Sequence, residues 1–193
     1  MQIIELDARA VRASADLAAK ATAADLSKPT PCRGWTLYGL LAHMTTQHYG
    51  FAAASRGDAD PEKWKLLSLG DDPVHAYLDS AGHVIDAFAA DGVADRPFPL
   101  PEFRPEPFPA EQAISFHHVD YVVHAWDVAK TLGAELHVDD EVLDAAHTVA
   151  AIVPAGPLRL APGAAFGPEV PWEGGSRLDQ LVAYLGRSPA WTP

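Results

Sequence analysis

The feature that most constrains the fold of this chain is a proline-rich stretch between residues 96 and 109, which interrupts a helical pattern. Proline has no backbone N–H and cannot continue a helix, so this stretch predicts an extended crossover. On both sides of it, apolar residues recur every three to four positions, as they do on one face of a helix. This pattern predicts helices over residues 6–26, 36–55, 73–90 and 110–132.

Beyond residue 135 the sequence predicts a smaller helical extension. A fifth helix is expected over residues 139–153 and a last short helix over residues 176–186. The Gly- and Pro-rich connection between them, residues 154–175, is expected to contain a short hairpin around residues 166–170. We therefore expect a single all-α domain over residues 1–193. Its four-helix bundle with a long crossover covers residues 1–135, and a C-terminal helix and tail cover residues 136–193.

The charge balance and the cysteine count exclude several classes of protein. Only 14 Lys and Arg stand against 26 Asp and Glu, which gives a formal net charge of −12. Nucleic acids and anionic membranes both attract clustered basic residues, so neither is an expected partner. The one cysteine forms no internal disulfide, and no apolar stretch is long enough to cross a membrane. Both observations predict a cytoplasmic protein.

A carboxylate and an imidazole lie one turn apart on the predicted fourth helix. Asp120 and His124 project about 40° from each other, on the side that also carries Phe116 and Val123. A buried carboxylate needs a cation or several hydrogen bonds, because burying it alone costs free energy. The i, i+4 spacing allows both side chains to bind one metal ion, although such polar pairs are also common on metal-free helices.

His43 is the third candidate ligand, provided that the second helix faces the fourth. The alternative is a core histidine that hydrogen-bonds to a carbonyl group or to water. His48 is offset by five residues and is expected at the surface or at the rim of the site. Two histidines and one carboxylate form an open ligand set for Zn²⁺, and Ni²⁺ or Fe²⁺ are alternatives. An ion in such a site lowers the pKa of a bound water or thiol.

Three further residues have weaker predicted roles. His117 lies about 10 Å along the helix from His124, too far to share one ion with it. It is a candidate for the pocket wall or for a catalytic proton transfer. Asp127 is expected to orient a ligand imidazole, with an exposed salt bridge as the alternative. Cys32 is expected to be a buried small residue rather than a reactive thiol.

Several motifs in the sequence resemble those of a known family. Residues 30–35 (TPCRGW) and residues 40–43 (LLAH) are similar to the "TPC-x-x-W…L-x-x-H" motif of DinB-like proteins of the mycothiol-dependent maleylpyruvate isomerase N-terminal domain superfamily. Residues 120–129 resemble the "(E/D)-x-x-x-H-x-W-D-L-A" helix of the same superfamily. Residues 166–170 and 185–189 are similar to the tail of one actinobacterial subgroup of metal-binding proteins.

The resemblance implies a four-helix bundle with a divalent metal, usually Zn²⁺, whose ligand positions fall on His43, Asp120 and His124. It also implies a low-molecular-weight thiol, such as mycothiol or bacillithiol, used in isomerisation or S-transfer. The chain departs from the family pattern twice. Asp120 stands where the isomerase has Glu, and the isomerase's separate C-terminal domain, which supplies a catalytic Arg, has no counterpart after residue 139.

Three functions are consistent with these observations. The first is a metal- and thiol-dependent transferase or isomerase that acts on a small electrophile. The second is a non-catalytic module that binds a metal or a small ligand, and the third is a metal-free structural helical protein. A small-molecule substrate and a thiol are the expected partners of the first. Exposed tryptophans at positions 64 or 172 are candidates for a homodimer contact, with the packing of loops as the alternative.

Overall fold

The computed structural model describes residues 2–161 and 164–193, which form six α-helices and no β-strand. The helices are α1 (Gln2–Ala18), α2 (Leu37–Ala54), α3 (Pro73–Phe88), α4 (Ala110–Leu132), α5 (Asp140–Ala150) and α6 (Arg177–Tyr184). The all-α prediction is confirmed, and α4 has the predicted bounds. No helix in the described part of the chain is long and apolar enough to cross a membrane.

Local capping signals explain where the helices begin and end. The hydroxyl oxygen of Thr36 accepts a hydrogen bond from the backbone N–H of Gly39 at 3.3 Å and starts α2. Gly133 ends α4 in the left-handed conformation, at φ 63°. The first helix is shorter than predicted. Asp25 accepts hydrogen bonds from the backbone N–H and the hydroxyl of Thr22, and these local bonds favour a turn over a further helical turn.

The first four helices form the predicted bundle. α1 packs against α3 and α4, α2 packs against the same two helices, and α5 covers α1 and α4. The proline-rich crossover between α3 and α4 is held by one antiparallel bridge. In this bridge Phe98 and Phe108 exchange backbone hydrogen bonds of 2.8 and 2.9 Å. Phe98 is fully buried, so the crossover is part of the core rather than a loose loop.

The long connection between α2 and α3 corrects one expectation. It contains a short 3₁₀ helix, Pro61–Trp64, and the indole of Trp64 is buried rather than exposed. This ring lies directly on Gly50 of α2, where a Cβ atom would approach it to 2.8 Å. Trp64 is therefore an internal contact, whereas Trp172 is 38 % exposed and stays a candidate for the predicted dimer contact.

The C-terminal tail folds back onto the bundle. Gly186 adopts φ 87° and touches Gly167, where a Cβ atom would come within 2.7 Å of the backbone. Lys130 of α4 donates a hydrogen bond to the carbonyl of Pro189 at 2.9 Å. The hairpin expected around residues 166–170 does not form within the described residues, because the N–H of Val170 pairs with the last turn of α6. Residues 162 and 163 of this connection lie outside the described residues.

Candidate metal centre

Helices α2 and α4 bring the three predicted ligands together. His43, Asp120 and His124 each offer a ligand atom, and these atoms lie within 4.8 Å of one another. Nε2 of His124 is 3.4 Å from Oδ1 of Asp120. The rings of His43 and His124 meet edge to face, with centroids 5.3 Å apart. Two imidazoles and one carboxylate form a donor set that suits Zn²⁺ with an open position, so these residues fit a divalent ion.

Burial prepares His43 as a neutral donor. Burial, together with a smaller contribution from the nearby His124, lowers the pKa of His43 to about 4, while Asp120 opposes the shift. The ring is therefore neutral at neutral pH and offers a lone pair to a metal. Trp35 packs against it with ring centroids 4.7 Å apart. His43 and Asp120 are both partly exposed, Asp120 with 27 % of its side chain, whereas His124 is buried.

His124 is oriented by a fully buried carboxylate. Nδ1 of His124 donates a hydrogen bond of 2.9 Å to Oδ2 of Asp127, which leaves Nε2 facing Asp120. The same Oδ2 accepts a second hydrogen bond from Nη2 of Arg187 at 3.2 Å. Burial alone would raise the pKa of Asp127, but the charge of Arg187 and the bond from His124 lower it overall. Asp127 is therefore an anion that pairs with two donors.

The three ligands lie in the wall of a cavity of about 1080 Å³. Most of the surrounding wall is aromatic or aliphatic, including Trp35, Phe51, Phe116, Ile152 and Phe166. Polar groups interrupt this wall at a few positions, among them Gln47, Glu102, Gln112 and Arg187. The C-terminal extension supplies one side of the cavity, so the bundle by itself does not enclose it.

The structure places two other histidines differently from the prediction. His117 is fully buried and is not among the described residues that line the cavity. Its Nδ1 bonds to Asp7 of α1 at 2.7 Å, because α1 packs against α4 at this level of the bundle. His48 is not at the surface or rim. It is fully buried, and its Nδ1 is 2.9 Å from the hydroxyl of Ser80 on α3.

Cys32 lies at the edge of the same cavity. It is partly buried, and its Sγ is 4.0 Å from Nη2 of Arg187. Burial raises the pKa of its thiol to about 11, although the charge of Arg187 opposes the shift. The thiol is therefore protonated at neutral pH. Cys32 is thus only partly buried, where a buried residue was expected, and it lines the cavity.

Arg187 is the residue near the centre that the sequence reasoning missed. It is 7 % exposed, and its guanidinium lies 5.7 Å from the ring centroid of Phe166. The one signal for it was the similarity of residues 166–170 and 185–189 to a known tail. The structure brings these two segments together through Gly167 and Gly186.

Comparison with known proteins agrees with this architecture. The sequence model of the mycothiol maleylpyruvate isomerase N-terminal domain matches residues 8–129, which include all three candidate ligands. The chain belongs to this family. Uncharacterized proteins from two strains of Mycobacterium tuberculosis are each 33 % identical to it over 181 residues. Each of these matches covers 93 % of this chain and 94 % of the relative.

A solved structure supports the fold of this family member. The crystal structure of the mycothiol-dependent maleylpyruvate isomerase superposes on it with a TM-score of 0.61. The match covers 78 % of this chain and 67 % of the isomerase, at 14 % sequence identity. At this identity the likeness concerns the fold, and it confirms the DinB-like helical bundle.

Proposed function

We propose that this protein binds a divalent metal ion at His43, Asp120 and His124. Zn²⁺ is the preferred candidate, and Ni²⁺ and Fe²⁺ are the alternatives. With a mycothiol-type thiol, the protein would act as a cytoplasmic transferase or isomerase on a small electrophile. The observation that carries the proposal is the convergence of three ligand atoms within 4.8 Å in the wall of a cavity of about 1080 Å³. Family membership supports the use of a thiol, because the family takes its description from a mycothiol maleylpyruvate isomerase.

Each residue of the proposed metal site has a distinct role. His43 offers a neutral nitrogen donor and His124 offers its Nε2 atom, while Asp120 adds a carboxylate oxygen from a side chain that is 27 % exposed. Asp127 holds the His124 ring in the orientation that turns Nε2 toward the site. A divalent ion bound by these residues would lower the pKa of a coordinated thiol, so that the thiol ionises near neutral pH.

The cavity supports a substrate of mixed polarity. Its volume of about 1080 Å³ lies just above the roughly 300–1,000 Å³ of ordinary ligand pockets, so a thiol and an electrophile can fit together. Gln47 donates a hydrogen bond to Glu102 at 3.3 Å, and both can bind the hydroxyl groups of a polar thiol. Phe116 and Phe166 suit the apolar body of the electrophile and keep water away from the reacting atoms.

The first experiment measures metal content in protein purified without a histidine tag. We expect one Zn²⁺ or similar ion per chain in the wild type and less than a tenth of that in His124→Ala, roughly the loss expected when a metal site is disrupted. His137→Ala is the matched control, because His137 is 82 % exposed and remote from the ligands. Wild-type protein without stoichiometric metal would contradict the metal site.

The second experiment tests catalysis. The metal-loaded protein is incubated with mycothiol, bacillithiol, glutathione or cysteine and with monochlorobimane or maleylpyruvate. We expect conjugation or isomerisation with at least one thiol, and its loss in His124→Ala. If metal binds but no thiol in the panel reacts, the alternative applies, and the protein is a non-catalytic module that binds a metal or a small ligand.

A further inference from the structure

One carboxylate joins the candidate metal ligand to the C-terminal tail. Oδ2 of Asp127 accepts hydrogen bonds from Nδ1 of His124 at 2.9 Å and from Nη2 of Arg187 at 3.2 Å. Arg187 is 60 residues from Asp127 in the chain and lies outside residues 8–129, which carry the family match. The hydrogen bonds around the candidate metal ligand His124 therefore involve both the helical bundle and the C-terminal extension.

Asp127 needs this arginine for electrostatic reasons. Its side chain is fully buried, and its other oxygen, Oδ1, has no hydrogen-bond partner within the described residues. A buried carboxylate without a cation is costly, and removing one partner of a buried ion pair leaves the other charge uncompensated. Nδ1 of His124 donates one hydrogen bond to this carboxylate. Arg187 is the cation that faces this buried carboxylate beside the ligand ring.

The fold fixes Arg187 in this position. Its backbone N–H donates a hydrogen bond of 2.8 Å to the carbonyl of Val182 in α6, and Nη1 donates to the carbonyl of Leu185 at 3.2 Å. The preceding Gly186 makes the close contact with Gly167, which a larger residue would prevent. The arginine is therefore held by the backbone of the C-terminal extension rather than by a flexible tail.

We propose that Arg187 is a positioning residue for the metal ligand His124. It acts through Asp127, so that the C-terminal extension completes a metal centre whose ligands all come from the bundle. By holding Oδ2 in line with Nδ1 of His124, it keeps Nε2 directed at His43 and Asp120. This inference rests on the proposed metal site, and its test also includes a measurement on the metal-free protein.

The first test compares Zn²⁺ affinities, measured by competition with a chromogenic chelator. We expect Arg187→Met to bind Zn²⁺ about tenfold more weakly, as loss of an outer hydrogen-bond partner usually does. Arg159→Met is the matched control. Arg159 is also a buried arginine of the extension, 6 % exposed, but it bonds to the carbonyls of Pro154 and Tyr184. Its loss should change the affinity less than about twofold, the scatter expected of a remote change.

A double variant shows whether Arg187 acts through Asp127. We expect Asp127→Asn combined with Arg187→Met to bind Zn²⁺ no more weakly than Asp127→Asn alone. Arg187→Lys keeps the charge without the planar guanidinium and should fall between wild type and Arg187→Met, which also covers the case that the methionine variant does not fold. Equal affinity in wild type and Arg187→Met, or equal weakening in Arg159→Met, would overturn the proposal.

The second test needs no metal. In metal-free wild type, ¹⁵N NMR of the imidazoles should show His124 as a single tautomer with its proton on Nδ1, and Arg187→Lys should show a mixture of tautomers. If the wild type binds no Zn²⁺ but this difference is seen, the proposed function fails and the positioning role stands. An unchanged tautomer in the variant overturns the positioning role.

Discussion

The bundle contains two groups of two histidines and one aspartate, and each group takes one histidine from α2 and one from α4. The ligand group consists of His43, Asp120 and His124. The core histidine group consists of three side chains deeper in the bundle, His48, His117 and Asp7. Both groups have the composition of a metal site, but only the ligand group has three convergent donor atoms and a cavity beside them.

In the core histidine group, each side chain contacts another side chain of the bundle and not a shared central point. His117 bonds to Asp7 at 2.7 Å and His48 to Ser80 at 2.9 Å. Both rings stack on Tyr121, with centroids 4.2 and 4.3 Å from it. Their Nε2 atoms are buried without a hydrogen-bond partner in the described ranges. The comparison shows that residue type alone does not distinguish a binding site from a polar core. The direction of the donor atoms and access to a cavity do.

The largest expected effect is loss of stability in acid. Burial lowers the pKa of His48 well below its ordinary value of 6.5, and it also lowers those of His43, to about 4, and of His118. Below about pH 6.5 these histidines bind protons in the unfolded chain but stay unprotonated in the folded protein. The free energy of unfolding therefore falls as the pH falls. Each ring contributes at most about 1.4 kcal/mol per pH unit. Urea unfolding of metal-free protein at pH 7.5, 6.5 and 5.5 measures this slope, and exposed His137→Gln is the control that should not change it.

The next effect separates the two groups by stability. Asp7→Ala removes the partner of buried His117 and should lower the free energy of unfolding by about 3 kcal/mol, because the Nδ1 donor loses its acceptor and a cavity remains. The metal content of the folded fraction should not change. Urea unfolding and metal analysis on the same sample check both parts, and a loss of metal without a loss of stability would contradict the assignment of Asp7 to the core.

Asp120→Ala should have the opposite pattern. Its side chain is 27 % exposed, so the free energy of unfolding of the metal-free protein should change by less than about 0.5 kcal/mol. Zn²⁺ affinity should fall at least by the roughly 10- to 100-fold that loss of an outer partner costs, since Asp120 is a candidate ligand itself. Chelator competition measures the affinity. An affinity equal to that of the wild type would remove Asp120 from the ligand set.

The smallest effect tests how His48 is kept in the core. Ser80→Ala removes the hydroxyl 2.9 Å from Nδ1 of His48 and should lower the free energy of unfolding by about 1 kcal/mol. Zn²⁺ affinity should equal that of the wild type. Thr148→Ala is a suitable control, because its hydroxyl bonds only to the exposed α5 backbone at Asp144. Similar losses of stability in the two variants would show that the Ser80 bond has no special role.

Much of the ligand group could be predicted from the sequence. Thr36 and Gly133 mark ends of α2 and α4, and within α4 the four-residue spacing places Asp120 and His124 on one side. These signals are local in the sequence, so they can be recognised without knowing which helices pack together. The contacts that the sequence did not predict join residues far apart in the chain. His117 and Asp7 are 110 residues apart, and Asp127 and Arg187 are 60 residues apart.

The sequence by itself determined the all-α class, the bounds of α4 and the angular spacing of the polar side chains around each helix axis, because a period of 3.6 residues needs no tertiary information. Only the tertiary structure decided that His43 and His124 face a cavity while His48 and His117 face α3 and α1. It also decided that Arg187 lies beside Asp127. The physical reason is that the closure of a bundle depends on how neighbouring helices and the returning tail pack, and no single helix contains that information.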